Sequence, residues 1–129
     1  MERVQGIGGI FFKSPDPKAL TRWYADHLGV PAQDWGGANF VWSQQDHPES
    51  ASTVWSPFAA DTTYFAPSEA SFMINFRVRN LEAMLAQVAA AGAKVFEQRE
   101  SSEFGDFGWF LDPDGNKVEL WQPPTTPPG

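Results

Sequence analysis

Phe107-Gly108-Trp109-Phe110-Leu111-Asp112-Pro113-Asp114-Gly115-Asn116-Lys117-Val118-Glu119-Leu120-Trp121-Gln122-Pro123 decides the fold. Two apolar runs flank a tight turn. Pro113 presets φ at the second turn position, and Gly115 accepts a positive φ where the next strand begins. The second run alternates. Val118 and Leu120 point to one face, and Lys117, Glu119 and Trp121 to the other. The first face reads as core. The second sets a carboxylate beside an indole. A carboxylate in the middle of an apolar strand needs a partner, a metal or a ligand, because burying it alone is costly. Lys117, Lys13 and Arg77 are the ion-pair candidates.

Working outward, the same hairpin closes a repeated pattern. Residues 4–14 read as a strand with Gly6, Gly8 and Gly9 early in it, which marks a bulge or a close backbone approach. Ser14-Pro15-Asp16-Pro17 stops that strand and opens a helix over 18–28, with Asp16 as N-cap and Gly29 closing it. Leu20, Trp23, Tyr24 and Leu28 form the helix's apolar stripe. Residues 32–37 read as loop, 39–43 and 53–58 as short strands around a polar loop at 44–52, and 59–70 as a linker. A second cycle follows: a strand at 71–78, Asn80 as N-cap, and an Ala-rich helix at 81–91 with Leu81, Met84, Leu85 and Val88 on one face. Gly92 closes this helix. A strand at 94–98, a polar loop at 99–106 and the hairpin complete the cycle.

Phe12-Lys13-Ser14-Pro15-Asp16 and Phe76-Arg77-Val78-Arg79-Asn80 match at an offset of 64, the difference of their numbers. A repeat at fixed offset outranks any single motif. The unit is βαβββ, used twice, in an α+β fold with helices packed on one face of the sheet. The domain spans 1–123, with module one over about 4–60 and module two over about 70–123. Residues 124–129 form a Pro-rich tail that reads as disordered.

Bulk composition narrows the function classes. At 129 residues the chain can build one domain with a real core. Eleven Phe and two Tyr suit a Phe-rich core, but six Trp are too many for that core alone, so some line a cavity. Net charge is −7, which argues against nucleic acid as a partner. Without cysteine there is no disulfide, thiolate metal site or Cys nucleophile. The apolar stretch at 7–12 is too short for a signal peptide, and no run approaches the ~20 apolar residues of a membrane span, so a cytoplasmic protein is expected. Only two histidines are present. His27 falls near the end of the first helix, where an imidazole suits the dipole, and His47 lies between Asp46 and Glu49 in the polar loop. Asp112 and Asp114 read as turn residues. No Gly-x-Ser-x-Gly nucleophile motif occurs, and Gly6-Ile7-Gly8-Gly9 is not followed by a helix at phosphate-loop spacing.

Phe12-Lys13-Ser14-Pro15-Asp16-Pro17 with Trp23-Tyr24-Ala25-Asp26-His27-Leu28-Gly29, and Asp112 through Leu120, resemble the first strand–helix and the last hairpin of the vicinal oxygen chelate superfamily. That group includes glyoxalase I, the bleomycin-resistance proteins and the extradiol dioxygenases. The resemblance implies a curved-sheet cup, and in metal-dependent members a divalent ion held by one residue from the first and last strands of each module. Carried over by position, Glu119 matches the carboxylate ligand. Gly9 and Met73 stand where the other first-strand ligands belong, and 54–56 offers neither carboxylate nor imidazole. One ligand of four remains, short of the three that a catalytic divalent site wants. The resemblance also implies a homodimer.

Strand parity then assigns the cup. Lys117 and Trp121 follow Glu119, Ser71 and Asn75 follow Met73, and Phe11 and Lys13 follow Gly9; Trp55 and Trp109 come from neighbouring strands. Phe11, Trp55, Met73, Asn75, Trp109 and Trp121 are the ligand-binding candidates, and Glu119 is the catalytic one. Apolar walls with few polar groups suit a small organic molecule, aromatic or cationic in character. The expected function is glyoxalase/bleomycin-resistance-like binding of such a molecule without a complete metal site. The alternatives are a glyoxalase-type lyase or isomerase with Glu119 as base or residual metal ligand, and a non-catalytic dimerising scaffold.

Overall fold

The structure is a computed structural model that describes residues 1–41 and 52–124. His47, most of the polar loop around it, the end of the strand expected at 39–43 and nearly all of the Pro-rich tail lie outside the described residues. Seven strands and two helices follow one another: β1 (Val4–Ser14), α1 (Pro17–Leu28), β2 (Ala38–Val41), β3 (Ser52–Ala59), β4 (Phe72–Val78), α2 (Leu81–Ala90), β5 (Lys94–Ser102), β6 (Gly105–Leu111) and β7 (Lys117–Gln122). They form a single mixed sheet in the order β2-β3-β1-β4-β7-β6-β5, an α+β architecture. The two first strands, β1 and β4, pair antiparallel at its centre, so the modules join within one chain. Each first strand also pairs parallel with the last strand of its own module, β1 with β3 and β4 with β7.

Local chemistry sets the element ends. The Asp16 carboxylate accepts from the Ala19 amide at 3.1 Å, and 64 residues on, the Asn80 side chain accepts from the Ala83 amide at 3.0 Å. Gly29 ends α1 at φ 68°, which a residue without Cβ adopts at little cost. In the β6–β7 turn the Asp112 side chain accepts from the amides of Asp114 and Asn116, and Gly115 takes φ 83°.

Both helices cover the same face of the sheet. Leu81, Met84 and Leu85 of α2 bury against Val78, Val118 and Leu120. On α1, by contrast, Trp23 and Leu28 are exposed, and Thr21 is the buried residue. The stripe expected on α1 is therefore shifted: Tyr24 meets Trp55 at 5.0 Å, and the Thr21 hydroxyl donates to the Gly36 carbonyl at 2.9 Å.

One further expectation is corrected. The loop expected at 99–106 is mostly strand, because β5 runs on to Ser102 and turns directly into β6. Its polar side chains fit an edge strand, where charge discourages pairing with other sheets. Seven strands and two helices in one mixed sheet fit the expected βαβββ fold, with no strand over residues 30–37 of module one.

Candidate functional site

One register row crosses the cup. Asn39 of β2 stands opposite Val54 of β3, Val54 opposite Gly9 of β1, Gly9 opposite Asn75 of β4, Asn75 opposite Glu119 of β7, and Glu119 opposite Trp109 of β6. Directly opposed residues share a face of the sheet, here the one away from the helices. A cavity of about 600 Å³ opens on that face. Phe11, Phe58, Phe107 and Trp121 form aromatic wall, Tyr64, Asn75 and Glu119 supply polar groups, and Trp35 and Phe104, 52% and 63% exposed, stand at the mouth.

Glu119 is the chemical centre. It is 3% exposed, and both oxygens are held: the Tyr64 hydroxyl donates to Oε1 at 2.5 Å and the Asn75 amide to Oε2 at 2.8 Å. The buried Trp109 indole N–H leans toward the carboxylate without reaching hydrogen-bond geometry. Among the described residues Glu119 makes no ion pair. Burial pushes its pKa upward, and the bonds from Tyr64 and Asn75 pull the other way without cancelling the shift. Burial, reinforced by the Glu119 charge, raises the Tyr64 phenol above its ordinary range, so it stays a donor. The Lys117 ammonium is directed elsewhere. It donates to the Tyr64 carbonyl at 2.8 Å and lies over the rings of Tyr64, Phe96 and Trp109 at 5.4, 5.4 and 5.7 Å. Desolvation lowers its pKa, against the pull of Glu119.

Of the residues predicted from sequence, Phe11, Asn75, Trp121 and Glu119 meet on the cavity wall. Met73 and Trp109 face the same way, but Phe65 covers them, and the three form a sealed cluster beneath the cup. Trp55 is on the opposite face. It stands in register with Ile10 and Ala38, one residue off the cavity row, and its ring packs on Phe12 and Tyr24. Assigning Trp55 to the pocket is thus wrong by one step of strand parity.

The sequence reading missed Tyr64, because residues 59–70 read as a linker. That segment folds into the cup instead. Phe65 is fully buried, Tyr64 stacks on Phe58 at 5.6 Å, and its hydroxyl supplies the partner that the buried carboxylate required. The signal was the adjacent Tyr64-Phe65 pair in an otherwise small and polar stretch. Gly8 has a steric role, since a Cβ there would lie 2.3 Å from Asn75 Oδ1 and 3.0 Å from the Trp121 ring.

A family model described as a glyoxalase-like domain matches residues 9–121. Among solved structures, the chain is similar to methylmalonyl-CoA epimerase from Mycobacterium tuberculosis, with 18% identity and a TM-score of 0.62 over 94% of this chain and 89% of that one. It is also similar to 2,2',3-trihydroxybiphenyl 1,2-dioxygenase from Sphingomonas wittichii strain RW1, with 20% identity and a TM-score of 0.57 over 97% of this chain and 43% of that one. Likeness at these identities carries the fold alone. No curated protein matches the chain.

Divalent metals occur in this fold, and the donor set here does not suit one. Gly9 offers no side-chain donor, and the Phe11 ring lies over its position, 2.8 Å from where a Cβ would stand. Met73 is sealed under Phe65, and both oxygens of Glu119 are already held. Among the described residues no group of three or more His, Cys, Asp or Glu could hold a metal ion.

Proposed function

The chain belongs to the glyoxalase-like domain family of the vicinal oxygen chelate superfamily, and from that premise we propose that it binds a small organic molecule with an aromatic body, without a catalytic metal. The observation that carries this reading is the cup itself: aromatic walls around a carboxylate whose oxygens are held by Tyr64 and Asn75 and not left open as metal donors. Apolar surface on the ligand replaces water against the rings, and the few polar groups fix its orientation. Phe104 and Trp35 at the mouth offer faces for stacking. Pairing as a homodimer and a cytoplasmic location belong to the same proposal. Exposed Val4, Ile7 and Phe72 on the central strands supply apolar surface for a second copy.

A second reading is favoured by one observation. Glu119 is a buried carboxylate with its pKa raised, as a general base working near neutral pH requires. In this reading the cup houses a lyase or isomerase and Glu119 takes a proton from carbon.

A melting screen of aromatic compounds tests both. A ligand of the folded state at 100 times its Kd adds about 2.7 kcal/mol of stability and raises Tm accordingly. It should also quench tryptophan fluorescence saturably, because Trp35 and Trp121 line the cavity. Recovery of the compound unchanged supports binding. Turnover that Glu119→Gln abolishes, with the melt intact, supports the enzyme. A panel with no shift and no quenching overturns the proposal.

A further inference from the structure

We infer that the cup selects an aromatic compound that presents an N–H or O–H hydrogen-bond donor, and discriminates against carboxylates and phosphates. This deepens the binding reading above and rests on it. Two side-chain oxygens in the cavity row, Asn75 Oδ1 and Asn39 Oδ1, are buried without a hydrogen-bond partner. Asn75 is 3% exposed, and its amide cannot simply turn over, because its NH2 group is committed to Glu119 at 2.8 Å. Turning it would exchange an orphan oxygen for an orphan NH2 and place the amide oxygen against the carboxylate. A buried acceptor left unpaired is costly, and a donor brought by a ligand removes that cost.

The charges point the same way. Among the described residues that line the cavity there is no lysine or arginine. Lys117, the cation nearest in sequence to Glu119, is committed to the Tyr64 carbonyl beneath three aromatic rings. An anionic ligand would therefore enter a site that already holds a carboxylate and meet no lysine or arginine among the described lining residues. Two donors on the cavity wall are already engaged, the Tyr64 hydroxyl with Glu119 and the Trp121 indole with the Phe104 carbonyl at 2.7 Å, and the unpartnered Trp109 indole N–H is buried beneath the cup. Acceptors remain for a ligand to satisfy. Gly8 leaves room for Asn75 Oδ1 beside the Trp121 ring, where a small shift of the wall opens the buried oxygen to a donor on a compound stacked there.

Three probes of one shape test this: 2-naphthamidine, a cationic donor; 2-naphthamide, a neutral donor; and 2-naphthoate, an anionic acceptor. Each is titrated into the wild-type protein by calorimetry at neutral pH. The amidine and the amide should both bind at least about tenfold tighter than the naphthoate. Asn75→Leu, checked by its melt, should weaken the amidine and the amide about tenfold while leaving the naphthoate within about twofold. Should that variant not fold, the wild-type ranking alone decides. Naphthoate binding as tightly as the amidine overturns the inference and leaves the binding reading standing. If none of the three binds at millimolar concentration, the inference and the binding reading fall together.

Discussion

Glu119 shows how a single buried charge organises its surroundings. Its position in an apolar strand demanded a partner. Of the partners considered from sequence, the lysines and Arg77 give way to two neutral donors, Tyr64 and Asn75. The need was legible in the sequence. The identity of Tyr64 was not, because it is 55 residues away in a stretch without strand or helix periodicity. A pH dependence follows. The folded-state pKa of Glu119 is raised above its ordinary value near 4.5, so the folded chain holds this proton more tightly than the unfolded one. Its contribution to stability is fully present below that ordinary value and is lost as pH rises through the folded pKa. Wild-type stability relative to Glu119→Gln should fall across that window, with a slope of at most about 1.4 kcal/mol per pH unit, and then level off. Tyr64→Phe removes a bond that lowers the pKa, so the window should extend upward. It should also cost about 2 kcal/mol above the titration and little below it. Urea unfolding at a series of pH values checks both. A difference between wild type and Glu119→Gln that stays flat with pH contradicts the assignment.

Among the elements, those built on local chemistry were readable and those built on distant cover were not. Asp16 and Asn80 announce both helices, and each caps its helix as the repeat requires. β5 extends beyond what its sequence suggests, since Glu97, Gln98, Arg99 and Glu100 carry the polarity of a loop. On an outer strand that polarity is compatible with pairing, and Arg99 meets Glu82 of α2 at 2.8 Å. The start of β6 gives a sharp test of the hairpin. Gly105 takes φ 118°, and a Cβ there would lie 2.2 Å from the Gln122 carbonyl oxygen. Backbone on the facing strand cannot step aside as a flexible side chain could. Gly105→Ala should therefore cost roughly 2 kcal/mol or more, read from denaturant midpoints. A variant as stable as wild type would mean that β6 and β7 do not approach as described.

For the whole molecule, parity carried the reading as far as parity can. Counting in twos placed Phe11, Asn75, Glu119 and Trp121 on one face, and the sheet brings them to one cavity. It also placed Met73 there, and its direction is right; Trp109, taken only from a neighbouring strand, faces the same way. What parity cannot tell is which segment lies above them, and here Phe65 does. Trp55 fails for another reason: a short strand read without its register carries an ambiguity of one residue, which is enough to reverse its face. The cup works as a unit in the proposed reading: a binding site whose carboxylate is satisfied by Tyr64 and Asn75 without a metal. Its most direct test is the metal content of the purified protein, with thermal melts under EDTA and under added Ni²⁺, Zn²⁺, Mn²⁺ and Fe²⁺. Substoichiometric metal and an unchanged Tm in every condition are expected. Metal near one per chain, with EDTA lowering the melt and one of the ions restoring it, would contradict that reading.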